Sequence, residues 1–234
     1  IRCLVLRRGA NQPLDYDEVG VVEVDGVPVS ISQGIREARL LDQGFLCAYT
    51  LRRIDKNSSH NEHLVPRSVS KAEGRVEETL DYRNIVACYP KREAKGGCPY
   101  GAPVRGNTPL ALTPLEQSCE ARLRFDRSSS RFEPTNPDDV EVRNLVENVL
   151  KLNHDALIQR RRQAINEAGV GLGSKPPITA ADARRLAHSV LEFRRGKALM
   201  PFCTAVAQAA LAHADLIERR SKMKRQFNRK RPAS

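Results

Sequence analysis

One stretch of this sequence carries side chains that could together cut a phosphodiester bond. Residues 60–68 read His-Asn-Glu-His-Leu-Val-Pro-Arg-Ser, and Asn84 follows in a second polar stretch. A carboxylate such as Glu62 can hold a divalent metal, and the adjacent imidazole of His63 can take a proton from water. An asparagine near that ring can fix its orientation by hydrogen bonding to the backbone around it. We therefore take this stretch as the candidate active site.

The geometry of a β-strand sets a condition on the Glu-His pair. Adjacent residues on a strand point to opposite faces, so a regular strand would separate Glu62 from His63. We expect the pair at the distorted end of a strand, because Pro66 ends ladder pairing just beyond it. The chain between His63 and Asn84 is long enough for a loop and a returning strand. This chain length therefore predicts that the returning strand places Asn84 beside His63.

The first half of the chain, residues 1–135, reads as irregular and β-rich, with many glycines, prolines and cysteines. Residues 19–29 predict two short strands around an Asp-Gly turn. Residues 32–41 predict a short helix. The charged stretch 69–78 and the Gly- and Pro-rich stretch 91–109 are predicted to be loops.

The second half reads as helical, with a domain predicted over residues 136–218. Apolar side chains recur close to the helical period over 142–158. Asn136-Pro137 is typical of a helix start, and Thr179 to Asp182 fit a capping box for a later helix. Pro201 is expected to start or kink the last helix. The apolar stripes indicate a core or, less often, a docking face for another protein.

The charge of the chain favours a polyanionic partner. Lys and Arg number 39 against 28 Asp and Glu, and the formal net charge is +11. Nucleic acid is the commonest partner of such a surface. Residues 219–234 hold basic and no acidic residues, so we expect a disordered basic tail. It could lie on a phosphate backbone or be a solvated tail without a role.

The cysteines and the hydropathy pattern set the expected compartment. The six cysteines include no C-x-x-C pair, so the zinc-ribbon spacing is missing. A dispersed structural Zn²⁺ site and a set of buried apolar residues remain alternatives for four of them. These are Cys47, Cys88, Cys98 and Cys119. Without an 18-residue apolar run or a signal-peptide pattern, we expect no membrane span and a reduced, cytoplasmic protein.

The Glu-His pair, with Pro66, Ser68 and Asn84 after it, resembles the HNH endonucleases. The resemblance has its core at about residues 45–110. It implies a ββα-metal finger within the N-terminal half, and so an α+β chain with an all-helical C-terminal half. It also implies hydrolysis of DNA with Mg²⁺ or Mn²⁺. In that family pattern His63 is the general base, Asn84 orients it and Glu62 is a metal ligand.

The sequence departs from the HNH pattern at two places. The second cysteine that commonly precedes the Glu-His step is absent after Cys47, and the residue after Cys98 is a proline, which cannot bind metal. The remaining metal ligand is therefore unassigned. Its candidates are His60, Glu93 and Asn107. We favour His60 because it is closest in sequence to Glu62.

A looser resemblance extends over most of the chain. The order of several segments is similar to the HNH nuclease subunit of Septu-type and retron-associated antiphage systems. These segments are 47–54, 98–101, 105–107, 114–115, 118–120 and 150–153. That family is partnered with an ABC/SMC-like ATPase, which implies that residues 136–218 dock the ATPase and restrain the nuclease.

Four arginines near the motif could bind phosphates of the nucleic acid. They are Arg52, Arg53, Arg67 and Arg105. Two other functions stay open beside the partnered nuclease. One is a catalytically degenerate HNH scaffold that binds nucleic acid or the ATPase, and the other is a standalone restriction-type or homing-type nuclease.

Overall fold

The computed structural model describes residues 7–8, 12–13, 16–17, 20–24, 27–91, 97–171 and 178–230. These residues form an α+β fold of short antiparallel strand pairs and helices. The pairs are β1 (Arg7–Arg8) with β2 (Gln12–Pro13), β3 (Val21–Val24) with β4 (Val27–Ser30), β5 (His60–His63) with β6 (Ile85–Cys88), and β7 (Leu123–Asp126) with β8 (Arg131–Pro134).

Helices connect and cover these strand pairs. They are α1 (Ile31–Asp42), α2 (Arg67–Ala72), α3 (Ala102–Arg105), α4 (Cys119–Arg122), α5 (Val140–Asn144), α6 (Asp155–Glu167), α7 (Ala180–Ser189) and α8 (Cys203–Lys230). Two short 3₁₀ turns, Val76–Thr79 and Tyr82–Asn84, lie between β5 and β6. A single π-helical turn, Leu145–Val149, continues α5.

The predicted N-terminal elements are present, but one predicted loop is wrong. Strands β3 and β4 pair as expected, although residues 25 and 26 of the turn lie outside the described part, and α1 covers the predicted helix. The stretch 69–78 instead continues α2 and enters a 3₁₀ turn. The reason is local pairing of its charges. Glu78 accepts hydrogen bonds from Ser70 Oγ and Arg75 Nη1, each at 2.7 Å.

Of the two helix starts predicted in the second half, one is confirmed and one is wrong. At α7 the expected cap is confirmed, since Thr179 Oγ1 accepts a hydrogen bond from the Asp182 amide at 3.1 Å. The start at Asn136-Pro137 is wrong, because α5 begins at Val140. Asp139 caps it by accepting from the Val142 amide at 3.1 Å.

The hydrophobic core does not divide at residue 135, where we expected a domain boundary. One cluster joins Leu40 and Val86 to Val142 and Leu145, and a second joins Leu46 and other N-terminal residues to α6, α7 and α8. A domain has its own core, and here both cores take residues from both sides of the expected boundary. Residues from both sides of the expected boundary therefore share core packing, and the first cluster includes Val86 and Cys88 of β6.

Helix α8 replaces the first part of the expected disordered tail. It runs without interruption to Lys230, and residues 231–234 lie outside the described part. The helix is already formed over buried residues such as Val206 and Ala210, so extension needs no new nucleation. Lys and Arg are also good helix formers. No helix in the described ranges is long and apolar enough to cross a membrane.

Candidate functional site

Strand β5 carries His60, Glu62 and His63 of the candidate motif on regular strand geometry, and Asn84 ends the 3₁₀ turn that enters β6. His63 pairs with Ile85, and the Leu64 amide still donates to the Asn84 carbonyl at 2.8 Å. The expected distortion at His63 is therefore wrong, because pairing continues one residue beyond it. As a result, His60 and Glu62 share one face of β5, and Asn61 and His63 share the other.

The surroundings of the His63 ring favour its neutral form. Its ring is buried, with the side of the Tyr16 ring against it at a centroid distance of 4.8 Å. Nε2 lies 2.9 Å from the Thr79 carbonyl oxygen, which can only accept, so the proton of the neutral ring is on Nε2. Nδ1 then keeps its lone pair. Burial lowers the pKa of His63 from its ordinary value of 6.5, which favours this neutral form near pH 7.

Asn84 acts on the backbone that follows His63. Its Oδ1 accepts from the Val65 amide at 2.7 Å, and its Nδ2 donates to the Glu78 carbonyl at 3.1 Å and to the Val65 carbonyl at 3.3 Å. The amide thus joins the end of β5 to the loop that carries Thr79, the partner of the His63 ring. Asn84 returns beside His63 as expected and works through the surrounding backbone.

The structure brings the two proposed metal ligands together. His60 Nδ1 donates to the Pro90 carbonyl, which leaves Nε2 directed at Glu62 Oε2 at 3.2 Å. A histidine presented through a backbone hydrogen bond on its other nitrogen is typical of metal ligands. Oε2 and Nε2 therefore fit as a pair of donors for one divalent cation. Across the described ranges, no group of three or more His, Cys, Asp or Glu is arranged for a metal.

Arg105 is a buried ion-pair partner of Glu62. Its side chain is 1% exposed, and Nη1 donates to Glu62 Oε1 at 2.9 Å and to the His63 carbonyl at 2.7 Å. The same guanidinium donates to the Tyr49 hydroxyl and to the Leu64 carbonyl. The prediction that Arg105 binds nucleic acid is wrong, because its donors are occupied inside the protein. Its charge also disfavours a second cation at Glu62.

Two other predicted phosphate contacts support the fold. Arg52 donates to the Tyr100 hydroxyl at 2.6 Å and lies over the Tyr89 ring. Arg53 donates to the Gly44 carbonyl at 3.0 Å and to the Leu199 carbonyl. Of the four predicted arginines, Arg67 is the one that lines a cavity with His63.

Asn107 and Glu93 are the other candidates for the unassigned metal ligand. Asn107 is exposed, and Glu93 lies outside the described residues. Cys47 and Cys88 are free and buried. They contribute to the hydrophobic core, as one of our two alternatives for the cysteines expected.

A polar cavity of about 220 Å³ lies beside His63 and Asn61, and His60 from the other face of β5 also reaches its lining. Three cationic side chains line it, Arg36, Arg67 and Lys91, together with both histidines. The residues that line it include no carboxylate. Glu62 is not among them, so Glu62 and His63 do not face one cavity as we expected.

Arg36 is one of several lining residues that sequence reasoning missed, and it carries a positive charge. It belongs to α1, far from the motif in sequence, and no motif pattern includes it. The helical period could have found it, since Ser32 lies four residues earlier on the same face of α1 and also lines the cavity.

In comparisons with known proteins, no family model and no curated protein matches the chain. The likeness to HNH endonucleases thus depends on the motif residues of this chain alone. It stays a prediction.

Proposed function

We propose that this chain is an HNH-type endonuclease that hydrolyses phosphodiester bonds of DNA, with His63 as the general base. The observation that carries the proposal is the state of His63 at the cavity. Its proton position is set by the Thr79 carbonyl, its pKa is lowered by burial, and cationic side chains line the same space. A neutral imidazole beside a bound phosphate is the arrangement that proton abstraction from water requires.

In the proposed reaction, a water molecule loses a proton to His63 Nδ1. The resulting hydroxide attacks phosphorus, the bond from phosphorus to the 3′-oxygen breaks, and the leaving oxygen takes a proton from solvent water. Arg67 and Lys91 offset the negative charge that grows on the phosphate oxygens. Asn84 positions the backbone at both sides of the base.

The proposed cofactor is Mg²⁺ or Mn²⁺ at Glu62 Oε2 and His60 Nε2. When bound, such an ion would supply positive charge toward the phosphate and the leaving oxygen from the side of His60, because His60 lines the cavity and Glu62 does not. The Pro90 carbonyl keeps the His60 ring in the orientation that presents Nε2, and Arg105 holds the other carboxylate oxygen. In this proposal, β5, β6 and the short helix α3 correspond in order to a ββα-metal finger.

Plasmid cleavage tests this function. Wild type, His63→Ala and the matched control His188→Ala, at an exposed histidine of α7, are compared with Mg²⁺ or Mn²⁺ supplied. We expect His63→Ala to lose about 10²–10⁴-fold in rate, the usual contribution of a positioned base. Full activity in a folded His63→Ala protein would overturn the assignment.

A second candidate function is a binding scaffold without catalysis. The guanidinium of Arg105 at Glu62 favours it, because a fixed positive charge there weakens metal binding. DNA binding that EDTA leaves unchanged, with no cleavage in any metal, would select the scaffold over the nuclease.

We further propose that the helical half docks an ABC/SMC-like ATPase, as the looser resemblance implies. An apolar groove of about 420 Å³ supports this, with the half-exposed Leu191 and Leu211 at its edge. Large exposed apolar side chains often mark protein interfaces. Leu211→Asp should abolish co-elution with a co-expressed ATPase encoded beside this chain, whereas Met223→Asp, on the same helix outside the groove, should not. Separate elution of the wild-type chain would refute the partner.

A further inference from the structure

We propose that Arg36 is the anchor of a phosphate-binding site that takes one backbone phosphate of the nucleic acid in the cavity beside His63. This inference rests on the proposed function, which supplies nucleic acid as the ligand. It adds Arg36 as the residue that binds the phosphate. Arg36 reaches the cavity from α1, on the side opposite the β5–β6 pair's buried ion pair.

The first support is an unused donor. Arg36 Nε is buried and has no hydrogen-bond partner in the described part of the chain. A buried N–H without an acceptor lowers stability, and such groups are rare in folded proteins. A bound oxyanion would supply the missing acceptor.

The second support is the charge around that donor. Arg67 lines the same cavity, and its charge is partly offset by an ion pair with Asp17 at its outer side. Within the described ranges, Arg36 forms no ion pair with a carboxylate. Its guanidinium therefore leaves a positive charge in a space without a lining carboxylate, which attracts anions and repels metal cations.

Further donors converge on the same space. Asn61 Nδ2 donates to the Tyr16 hydroxyl oxygen at 2.7 Å, so the Tyr16 O–H is left to donate elsewhere, and Tyr16 lines the cavity. Lys91 lines it as well. A guanidinium and a hydroxyl together match the several oxygens of a phosphate group better than a single-point anion.

The size of the cavity limits what it can hold. Its volume of about 220 Å³ is below the roughly 300–1,000 Å³ of pockets that enclose drug-sized ligands. One phosphate group with its attached carbons fits this volume, and the cationic lining favours the charged phosphate over a neutral base. This site would therefore read the backbone and leave the base sequence unread.

The test measures binding without cleavage. Fluorescence anisotropy with a labelled oligonucleotide in EDTA compares wild type, Arg36→Gln, Arg36→Lys and the control Arg185→Gln, which removes the same charge from exposed α7. We expect Arg36→Gln to weaken binding at least about 10-fold and to reduce the salt slope by about one. The affinity of Arg36→Lys, which keeps the charge but not the planar guanidinium, should lie between those of wild type and Arg36→Gln. The affinity of Arg185→Gln should stay within about twofold of wild type.

The outcomes separate this inference from the nuclease proposal. Weakened binding in Arg36→Gln, with no cleavage by wild type in any metal, keeps the phosphate site and removes the nuclease. Equal binding by Arg36→Gln and Arg185→Gln overturns the site, even if wild type cuts plasmid. If inorganic phosphate raises the melting temperature of wild type but not of Arg36→Gln while oligonucleotide binding is equal, the site binds free phosphate and the inference fails. Should Arg36→Gln not fold, Arg36→Lys decides by the same comparison.

Discussion

The two faces of strand β5 differ in how their polar groups are satisfied. On the face of Glu62, Arg105 donates to Oε1, and His60 Nε2 lies 3.2 Å from Oε2. On the face of His63, a cavity lies next to a buried Arg36 Nε and a buried Asn61 Oδ1 that have no hydrogen-bond partner among the described residues. A single four-residue strand thus has a closed ion-pair face and an open binding face.

The comparison assigns different roles to similar residues. Arg105 and Arg36 are both arginines within reach of β5, but the first is occupied by internal acceptors and the second is not. Buried polar groups are normally paired, so the unpaired side is the side where a ligand is expected. Substitutions on one face of β5 should therefore have effects that differ from those on the other.

The largest expected effect comes from Arg105→Met on the closed face. It leaves the Glu62 carboxylate and three backbone carbonyls, those of His63, Leu64 and Thr108, without their donor. Breaking a buried ion pair by removing one partner costs about 3–5 kcal/mol, and we expect a loss of that size in the free energy of unfolding by urea. The double variant Arg105→Met/Glu62→Gln should recover part of it, because the uncompensated charge is gone. A loss below about 1 kcal/mol would contradict the closed ion-pair face.

The next effect is that of Asn84→Ala, between the two faces. It removes hydrogen bonds to the Val65 amide and the Glu78 carbonyl, and we expect a loss of about 1–3 kcal/mol in stability. If Asn84 positions the base, the maximal cleavage rate falls while substrate affinity is unchanged. Asn84→Asp keeps an oxygen that can accept from the Val65 amide, so its stability and cleavage rate should lie between those of wild type and Asn84→Ala. A pure loss of affinity would argue against the positioning role.

The free energy of unfolding should depend on pH through His63. Because burial lowers its folded-state pKa below 6.5, the unfolded chain binds this proton first as the pH falls. The stabilisation is therefore present above about pH 6.5 and is lost as the pH falls through the lowered pKa. Urea midpoints from about pH 8 to about pH 5 should fall less in His63→Gln than in wild type. Parallel curves would show that His63 is not held neutral.

The same pKa governs the proposed cleavage. The rate should hold as the pH falls through 6.5 and decline only below the lowered pKa of His63. A decline that begins above pH 6.5 would indicate that another group is the base.

The smallest effects distinguish the predicted arginines. Arg67→Gln, at the cavity, should weaken oligonucleotide binding and reduce the salt slope by about one. Arg53→Gln removes the same charge from a side chain that binds backbone carbonyls, so binding should change by less than about twofold. Equal losses in both would favour general charge attraction over a defined cavity.

Local patterns predicted the local parts of this fold. The hairpin β3–β4 and helix α1 follow from turn residues and periodicity, which act over a few residues. The return of Asn84 beside His63 also followed from chain length and strand pairing. These features need no knowledge of the rest of the chain.

The remaining features depend on contacts between distant segments. The burial of Arg105 against Glu62 and the entry of Arg36 into the cavity bring together residues from separate elements. The sequence near Arg105 indicates no such partner, and the helical period places Arg36 on the same face as Ser32 without showing what that face meets. The shared core was hidden for the same reason, since the helical half supplies one side of the packing around Val86.

The length of α8 has a mechanical consequence. At about 1.5 Å per residue, its 28 residues span about 42 Å in one rigid rod. One part of the rod is embedded at Val206, Ala210 and Ala214, and from Arg219 to Gln226 it is exposed and mostly basic. A partner that moves the exposed part therefore also moves the embedded part, because the helix is continuous. A flexible chain would not transmit that displacement.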